Sequence, residues 1–389
     1  MNPFSNMTSC IDEAVSEGVV PGAVTAVISP HSTLSLHCSG LRSTVNSQRM
    51  TADTIFQIAS MTKPITAMAC MQAVERGLLE LDQPAKEIIP WLGEVKVLDG
   101  FQNSQPIYTE PLKPVTLRNL LTHTSGFTYD IWNTGTSRWK EYSQTPATGS
   151  GKLASLHQPL AFEPGSKWEY GIGIDWAGQL LETVAKKSLG QWMRDEIFIP
   201  LEMNDTSYVC TSDMEERKAH THILKDEVWS ALVPTKPKSK PEFESGGGGL
   251  FSTVTDYAKF LQVILNDGCS NGVRFVSAQT LTRMVSNQMG SLQVSPTVSL
   301  NHNVSADFEF MRGVPKSWGL SFQINEEAVA GGRHGGSLSW AGLCNTHFWI
   351  DKESGIAALL MTQTLPFMIE RVANLLEEFE KAVYKDLAN

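Results

Sequence analysis

FQIASMTKPITAMACMQAVERGLL, residues 56–79, places a serine three positions before a lysine at the start of an apolar helical pattern. The pattern predicts a helix over residues 64–77, which Gly77 ends. Because residues i and i+3 share a helix face, Ser60 and Lys63 can approach each other. Ser60 is therefore a cap of this helix or a nucleophile beside its base, and the two roles are compatible.

The chemistry of a serine–lysine pair depends on what surrounds the lysine. A serine hydroxyl becomes a good nucleophile only when a neighbouring base takes its proton. A lysine is such a base only when burial or a nearby cation lowers its pKa towards neutrality. Ile58, Met61 and Ile65 are apolar, which favours burial of the lysine. A serine at a helix N-terminus also has a backbone N–H free to stabilise an oxyanion.

Spacing alone is weak evidence for catalysis. The tetrad Ser137–Lys140 repeats the pattern in a polar, loop-like stretch, where nothing is expected to desolvate the lysine. Evidence from the rest of the sequence is therefore needed to assign Ser60 a catalytic role.

Composition is that of a soluble globular protein, with 389 residues, 41% hydrophobic, 19% charged and a net charge of -10. An acidic chain without a basic stripe argues against a nucleic-acid or anionic-membrane partner. No apolar run approaches the roughly 18 residues of a membrane span, and the N-terminus lacks the features of a secretory signal. The six scattered cysteines are expected to be reduced thiols, so the expected location is cytoplasmic.

Strand patterns lie at both ends of the chain, and helical patterns fill its middle. Alternating β-branched residues over 20–41 predict a hairpin, and strand-like runs recur between residues 318 and 363. An amphipathic helix is predicted at each terminus, and Thr8 or Ser9 is the expected cap of the first. Thr116 is the expected cap of a helix within 114–126, and residues 174–198 are predicted to form two helices with a break near 188–190. We therefore expect an α/β (α+β) fold with a central antiparallel sheet flanked by helices and a mostly helical inserted domain.

The expected domain organisation follows from this order. Residues 1–62 and 246–389 would form a discontinuous α/β domain, residues 63–245 a mostly helical domain, and the cleft between them the active site. An irregular Pro/Lys-rich loop is predicted over 233–249. Its four final glycines predict a flexible backbone near the cleft rather than a phosphate-binding loop, because the Lys-Ser/Thr of such loops is missing.

Several motifs occur together and in order along the chain. They are FQIASMTKPITA, LLTHTSGF, WEYGIGIDWAG, GGGGLFSTVTDYAKF and a strand-rich tail with HGGSLSWAG. This set resembles the serine β-lactamase and penicillin-binding-protein (DD-peptidase-like) superfamily, and is most similar to class VIII carboxylesterases and fungal acyltransferases of the lovastatin type. The resemblance runs from about Pro21 to the C-terminal helix. It implies that Ser60 is the nucleophile and Lys63 its base.

The resemblance also implies a catalytic role for a tyrosine. Class C β-lactamases carry a Tyr-x-Asn motif, and the corresponding segment here is Tyr170-Gly171-Ile172. By resemblance, Tyr170 shares base duty with Lys63 and protonates the leaving alkoxide. Ile172 stands where the family has an asparagine that helps bind the substrate amide, which weakens a β-lactam interpretation. Asp175 and Trp176 follow one turn later and are interpreted as structural.

The family's Lys-Thr-Gly strand motif is absent. Two stretches compete for its place, the one starting at His334 (HGGS) and the one starting at Trp340 (WAG), and class VIII esterases are similar to the second. Gly342 would let the strand backbone approach the substrate, and the N–H of Leu343 would complete an oxyanion hole with that of Ser60. His334 would line the pocket or be only a turn residue. Loss of the cationic lysine favours neutral esters.

For the other candidate residues, the evidence of a catalytic or binding role is weaker. His123 lies among small hydroxyl residues at a predicted helix end, which favours scaffolding over catalysis. The aromatic residues of the loop-rich middle form an acyl pocket or ordinary packing; they are Phe127, Tyr129, Trp132, Trp139 and Phe243. No residue cluster has metal-ligand spacing and no cofactor motif occurs, so no metal or cofactor is predicted.

The sequence therefore predicts a serine hydrolase that acts on a small-molecule carboxylic ester, or an acyl thioester, through an acyl-enzyme. One alternative is an acyltransferase that passes the acyl group to an alcohol or amine. A second is weak β-lactamase or D-Ala peptidase activity, and a third is a catalytically silent binding module. Intact Ser60, Lys63 and Tyr170 argue against the last.

Overall fold

The computed structural model describes residues 3–233 and 240–389. Along these residues the helices are α1 (Ser5–Ser16), α2 (Thr62–Glu75), α3 (Leu117–Leu121), α4 (Thr134–Ser143), α5 (Gly173–Ala185), α6 (Leu189–Met193), α7 (Ser212–Arg217), α8 (Val254–Leu265), α9 (Ala278–Met284) and α10 (Glu370–Leu387). A 3₁₀ turn, Ala59–Met61, leads into α2, and a π-helical turn, Arg194–Phe198, continues α6.

The strands of the described residues vary from two residues to eleven, and β2 is the longest. They are β1 (Gly22–Ile28), β2 (Thr33–Ser43), β3 (Gln48–Arg49), β4 (Phe56–Gln57), β5 (Val97–Gln102), β6 (Gln105–Thr109), β7 (His222–Lys225), β8 (Val228–Ala231), β9 (Phe251–Ser252), β10 (Cys269–Ser270), β11 (Val273–Arg274), β12 (Lys316–Trp318), β13 (Gln323–Asn325), β14 (Leu338–Gly342), β15 (Thr346–Asp351), β16 (Ile356–Met361) and β17 (Thr364–Leu365).

One antiparallel sheet of eight strands organises the molecule, in the order β12-β13-β14-β15-β16-β1-β2-β3. The predicted N-terminal hairpin is confirmed as β1 and β2. The two ends of the chain meet where β1 pairs with β16, with Val24 opposite Met361. The α/β fold class with a central antiparallel sheet is confirmed.

Helices cover both faces of this sheet because its side chains alternate between two cores. Ala23 and Val27 of β1 face a core shared with α1 and α10. Val24 and Ala26 face the larger core, which also contains residues of α2, α5 and α8. The predicted packing of the terminal helices on the sheet is confirmed.

Several helices begin or end where the sequence predicts. Thr116 caps α3 by accepting a hydrogen bond from the Asn119 N–H, as predicted. The helical pattern over 174–198 breaks between α5 and α6, where Lys186 has a φ of +52°. The predicted strand run that starts at Trp318 contains only the last residue of β12 and the short strand β13, so β12 begins before it.

The start of the first helix differs from the prediction. α1 begins at Ser5, so the predicted caps Thr8 and Ser9 lie inside the helix. The Asp386 carboxylate of α10 instead accepts the backbone N–H groups of Asn6 at 3.1 Å and Met7 at 2.9 Å. A cap from the opposite end of the chain leaves no local sequence signal.

The middle of the chain holds α2 to α7 together with the hairpins β5–β6 and β7–β8. The domain division at residues 62/63 and 245/246 stays a prediction. Residues 234–239 of the predicted loop lie outside the described residues. Among the described helices, none combines the length and apolar character that crossing a membrane requires.

Candidate active site

Ser60 lies in the 3₁₀ turn that precedes α2. Its neighbour Ala59 has a φ of +43°, a left-handed conformation that is costly for a residue with a β-carbon. The capping interpretation is wrong in its strict form, because Met61 is the N-cap of α2 and no side-chain cap bond forms there. Ser60 instead contacts Lys63, as the helix-face argument predicts.

Lys63 is fully buried, and its hydrogen-bond partners among the described residues are all uncharged. Its Nζ donates to Ser60 Oγ at 2.9 Å, to Tyr129 OH at 3.1 Å and to the Gly247 carbonyl at 2.6 Å. Burial lowers the pKa of Lys63 to about 7, and the nearby Asp175 carboxylate opposes that shift. A lysine with this pKa is partly neutral at physiological pH, so its amine is available to take the Ser60 proton.

Asp175 binds the backbone of Gly247, whose carbonyl accepts the third hydrogen bond of Lys63. It is buried at the start of α5 and accepts hydrogen bonds from Ser245 Oγ and from the Gly247 N–H, the latter at 3.0 Å. A β-carbon on Gly246 would lie 2.4 Å from the Ile174 carbonyl oxygen, so a glycine is needed there. The glycine stretch lies at the site, as expected, and its backbone at Gly246 and Gly247 hydrogen-bonds with Thr66, Lys63 and Asp175. The flexibility of this backbone stays a prediction.

Tyr170 lies beside Lys63 in the same cluster. Its ring centroid lies 4.8 Å from Lys63 Nζ, and its hydroxyl lies 3.3 Å from the Trp340 indole nitrogen, which donates to it. Burial raises the pKa of the Tyr170 phenol, and hydrogen bonds with Ser60 and Trp340 oppose the rise. Tyr170 is therefore a neutral phenol that can donate a proton.

Strand β14 runs beside the Ser60 turn. A β-carbon on Gly342 would lie 2.2 Å from the Ile58 carbonyl oxygen, so only glycine allows this approach. Leu343 follows in the turn between β14 and β15 and is half-buried. The structure thus brings Trp340, Gly342 and Leu343 to the neighbourhood of Ser60.

His334 is not brought to this cluster. Its Nδ1 lies 3.0 Å from Asp351 Oδ2, at the far end of β15 from Thr346, which contacts the Ile58 carbonyl oxygen. Five residue steps along the strand lead from Thr346 to Asp351, which is about 16 Å at roughly 3.3 Å per step. Of the two stretches that compete for the Lys-Thr-Gly position, only the one starting at Trp340 adjoins Ser60.

His123 supports Tyr170 rather than the nucleophile. Its Nδ1 accepts the Gly171 N–H at 3.3 Å, and its ring lies 4.7 Å from that of Tyr170. Burial and the charge of Lys63 lower the pKa of His123 well below its ordinary value. This placement agrees with the scaffolding interpretation.

Only part of the predicted aromatic set surrounds the site. The rings of Tyr129 and Trp132 lie 5.2 Å and 5.4 Å from that of Tyr170. Trp139 instead donates to the Tyr108 hydroxyl, and Phe127 packs between Trp91 and Trp176. The hydrogen bond of Tyr129 with Lys63 and the charge of Asp175 are features that sequence reasoning missed, and no spacing signal marked them.

The second tetrad has a different environment from the one predicted. Lys140 lies on α4 and is buried, although its surroundings were expected to be polar and open. Its ammonium lies 3.4 Å from Asp130 and 2.7 Å from Thr148 Oγ1, so a carboxylate neutralises it. Among the described residues, the polar partners of Lys140 are Thr148 and Asp130 and not Ser137, which agrees with a structural role for this tetrad.

Comparison with known proteins places this geometry in a family. The Beta-lactamase family model matches residues 7–380. The chain is 28% identical to lovastatin esterase from Penicillium rubens, over 97% of this chain and 98% of that protein. It is also 28% identical to monacolin J acid methylbutanoyltransferase from Aspergillus terreus, over 98% and 96% of the two chains.

A solved structure agrees with these matches. Unliganded simvastatin synthase from Aspergillus terreus superimposes with a TM-score of 0.84 at 27% identity, over 99% of this chain and 98% of that one. The fold, the order of the motifs and the serine–lysine–tyrosine cluster all agree with the family match. The chain belongs to the Beta-lactamase family.

Proposed function

We propose that this protein is a serine hydrolase that cleaves carboxylic esters through an acyl-enzyme on Ser60. One observation carries the proposal: Lys63 Nζ lies 2.9 Å from Ser60 Oγ in a buried site that lowers the pKa of Lys63 to about 7. A buried, partly neutral lysine beside a serine hydroxyl is suited to nucleophilic catalysis.

Each group has a defined task in the reaction. The Lys63 amine takes the proton of Ser60 Oγ, which attacks the ester carbonyl, while the N–H groups of Ser60 and Leu343 stabilise the oxyanion. When the ester C–O bond breaks, Tyr170 gives its proton to the departing alkoxide and regains one from Lys63. Water then attacks the acyl-enzyme by the reverse proton path and releases the carboxylic acid.

The proposed substrate is a small, uncharged ester or acyl thioester. Support comes from the missing Lys-Thr-Gly lysine and from the aromatic rings of Tyr129, Trp132 and Trp340 around Tyr170. β-Lactam hydrolysis is disfavoured because Ile172 replaces the amide-binding asparagine.

Acyl transfer to an alcohol is a second candidate for the same site. The relatives include proteins named as an esterase and as a methylbutanoyltransferase at equal identity. Both activities share the acyl-enzyme and differ in whether water or an alcohol attacks it.

We also propose a cytoplasmic location, which the free thiols of Cys10, Cys38, Cys70, Cys210 and Cys269 support.

Substitution of the nucleophile tests the proposal. Ser60→Ala is expected to abolish turnover of p-nitrophenyl butyrate and the mass increase of the acyl-enzyme in intact-protein mass spectrometry. Ser137→Ala, in the other Ser-x-x-Lys tetrad, is the matched control and should keep both. Near-normal turnover by folded Ser60→Ala would refute the assignment.

Two further measurements separate the rival activities. Product analysis with an added alcohol distinguishes acyl transfer from hydrolysis, and nitrocefin turnover measures β-lactamase activity.

A further inference from the structure

The turn that joins β14 to β15 contains the backbone N–H that the proposed function assigns to the oxyanion hole. The turn spans residues 342–345, and the Asn345 N–H closes it by donating to the Gly342 carbonyl at 2.9 Å. Leu343 is its second residue, and no group of the described residues accepts the Leu343 N–H. A half-buried N–H without a protein acceptor is available to the substrate.

The direction of the Leu343 N–H follows from the hydrogen bond that closes the turn. The Gly342 carbonyl and the Leu343 N–H belong to one peptide unit, which is planar and trans, so the two groups point in opposite directions. A donor that binds the Gly342 carbonyl therefore also fixes where the Leu343 N–H points. Because that donor is the backbone of Asn345, the position of Asn345 sets the orientation of this N–H.

The side chain of Asn345 fixes the position of its backbone. It is fully buried, and its Nδ2 donates to the carbonyls of Thr364 and Pro366 at 3.0 Å each. Its Oδ1 accepts the Met368 N–H at 2.9 Å. Both polar atoms of the amide are thus paired with the segment 364–368, which follows β16. The amide anchors the turn to a separate part of the chain.

The backbone conformation of Asn345 restricts which residue can do this. Its φ of +58° lies in the left-handed region, which asparagine adopts more readily than most residues with a β-carbon. Glycine also adopts this conformation but has no amide, and an ionised aspartate has no donor. Asparagine supplies the conformation, the donor and the acceptor together.

We propose that Asn345 is a positioning residue of the oxyanion hole: its amide anchors the turn so that the Leu343 N–H points at the carbonyl of the bound ester. The inference rests on the ester-cleaving function above. A donor that is already oriented stabilises the developing oxyanion without reorganisation during the attack. Loss of the anchor should therefore lower kcat more than it raises KM, because the oxyanion forms only after the ester is bound.

Asn345→Gly tests the inference, because glycine keeps the left-handed backbone and removes the amide. We expect kcat for p-nitrophenyl butyrate to fall about 10–100-fold, with KM little changed. Isotope-edited infrared spectra of the butyryl-enzyme, formed from ester labelled with carbon-13 at its carbonyl, give a second readout. Hydrogen bonds to a carbonyl lower its stretching frequency, so this frequency should rise in Asn345→Gly.

Asn325→Gly is the matched control. Asn325 is also fully buried, and its Nδ2 also donates to two carbonyls, those of Glu327 at 2.9 Å and His334 at 2.8 Å. Its partners belong to the stretch around His334, which does not adjoin Ser60. The variant loses a buried amide without changing the turn at 342–345, so its kcat and carbonyl frequency should equal those of the wild type.

A second variant keeps the test decisive if circular dichroism shows that Asn345→Gly does not fold. Thr364→Val removes a hydroxyl oxygen that lies 3.1 Å from Asn345 Nδ2 and keeps the two carbonyl partners. The same changes in kcat and carbonyl frequency are expected, at smaller size.

The contrary outcomes are distinguishable from one another. A wild-type carbonyl frequency in folded Asn345→Gly overturns the positioning role, whatever the change in kcat. Equal changes in Asn325→Gly also overturn it, because they would follow from the loss of any buried amide. Failure of wild-type Ser60 to form a butyryl-enzyme overturns the ester-cleaving function itself.

Discussion

At the scale of the residue, the environment of Lys63 matters more than its spacing from Ser60. Lys140 follows Ser137 at the same spacing and is also buried, and burial lowers the pKa of both lysines. Lys140 lies 3.4 Å from a carboxylate, whereas the three hydrogen-bond partners of Lys63 are uncharged. Uncharged partners satisfy the ammonium donors without strongly stabilising the charge, which is what a general base needs.

The pH dependence of acylation should report the pKa of Lys63. A lysine is neutral above its pKa, so kcat/KM for p-nitrophenyl butyrate is expected to rise with pH through a midpoint of about 7. Asp175→Asn removes a carboxylate that raises the pKa of Lys63, so the midpoint should move to lower pH. A midpoint that stays in place or moves upward in a folded variant would contradict this electrostatic account.

The two phenols near Lys63 should have distinguishable effects. Tyr170→Phe removes the proposed proton donor, so its loss in kcat should reach about 10²–10⁴-fold for ethyl butyrate and be smaller for p-nitrophenyl butyrate, whose leaving group needs no proton. Tyr129→Phe removes only a partner of Lys63, so both esters should lose similar activity. Equal losses for the two esters in Tyr170→Phe would argue against the donor role.

At the scale of the element, the close approach of β14 to the 3₁₀ turn before α2 shapes the candidate oxyanion hole. Both Gly342 and the left-handed Ala59 occur at this junction. The strand backbone can pack against the Ile58 carbonyl only where a side chain is missing. The same strand carries Trp340 to the Tyr170 hydroxyl at 3.3 Å, so one element contributes to two parts of the site.

Gly342→Ala tests this junction. Its β-carbon would lie 2.2 Å from the Ile58 oxygen and 2.4 Å from Thr346 Oγ1, so the backbone must shift. We expect a stability loss of about 1–3 kcal/mol in urea unfolding and a larger proportional loss of kcat/KM. Gly149→Ala, where a β-carbon meets open space, is the control. Wild-type kcat/KM in Gly342→Ala would show that this approach is dispensable.

At the scale of the whole molecule, the two ends of the chain hold each other. Asp386 of α10 caps α1, and β1 pairs with β16 in the main sheet. The buried Arg333–Glu380 ion pair links α10 to the segment before β14. The Asp386 cap and the Arg333–Glu380 pair both involve α10, which packs on the sheet face opposite the larger core, and that larger core contains Tyr170 and Trp340.

Loss of the interhelical cap should lower stability without changing catalysis. Asp386→Ala leaves the N–H groups of Asn6 and Met7 without this partner, so the free energy of unfolding should fall by about 1–2 kcal/mol. The kcat/KM of the folded variant should equal that of the wild type. Lys385→Ala, at an exposed neighbouring position, controls for changes on the helix surface. Unchanged unfolding of Asp386→Ala would mean that water replaces the carboxylate at no cost.

The sequence by itself determined the features that depend on near neighbours. The Ser60–Lys63 pairing follows from helix periodicity, the cap of α3 from Thr116, and the N-terminal hairpin from its alternation. Family resemblance added Tyr170, which no local pattern would have linked to Lys63.

Only the tertiary structure decided the rest. The pKa of Lys63 depends on desolvation and on Asp175, more than 100 residues away, and its contacts include Tyr129 and Gly247 from other segments. The separation of His334 from Ser60 follows from strand length and direction. Local patterns depend on a few adjacent residues, whereas burial and charge sum over every segment packed around a group, so they emerge only when the chain is folded.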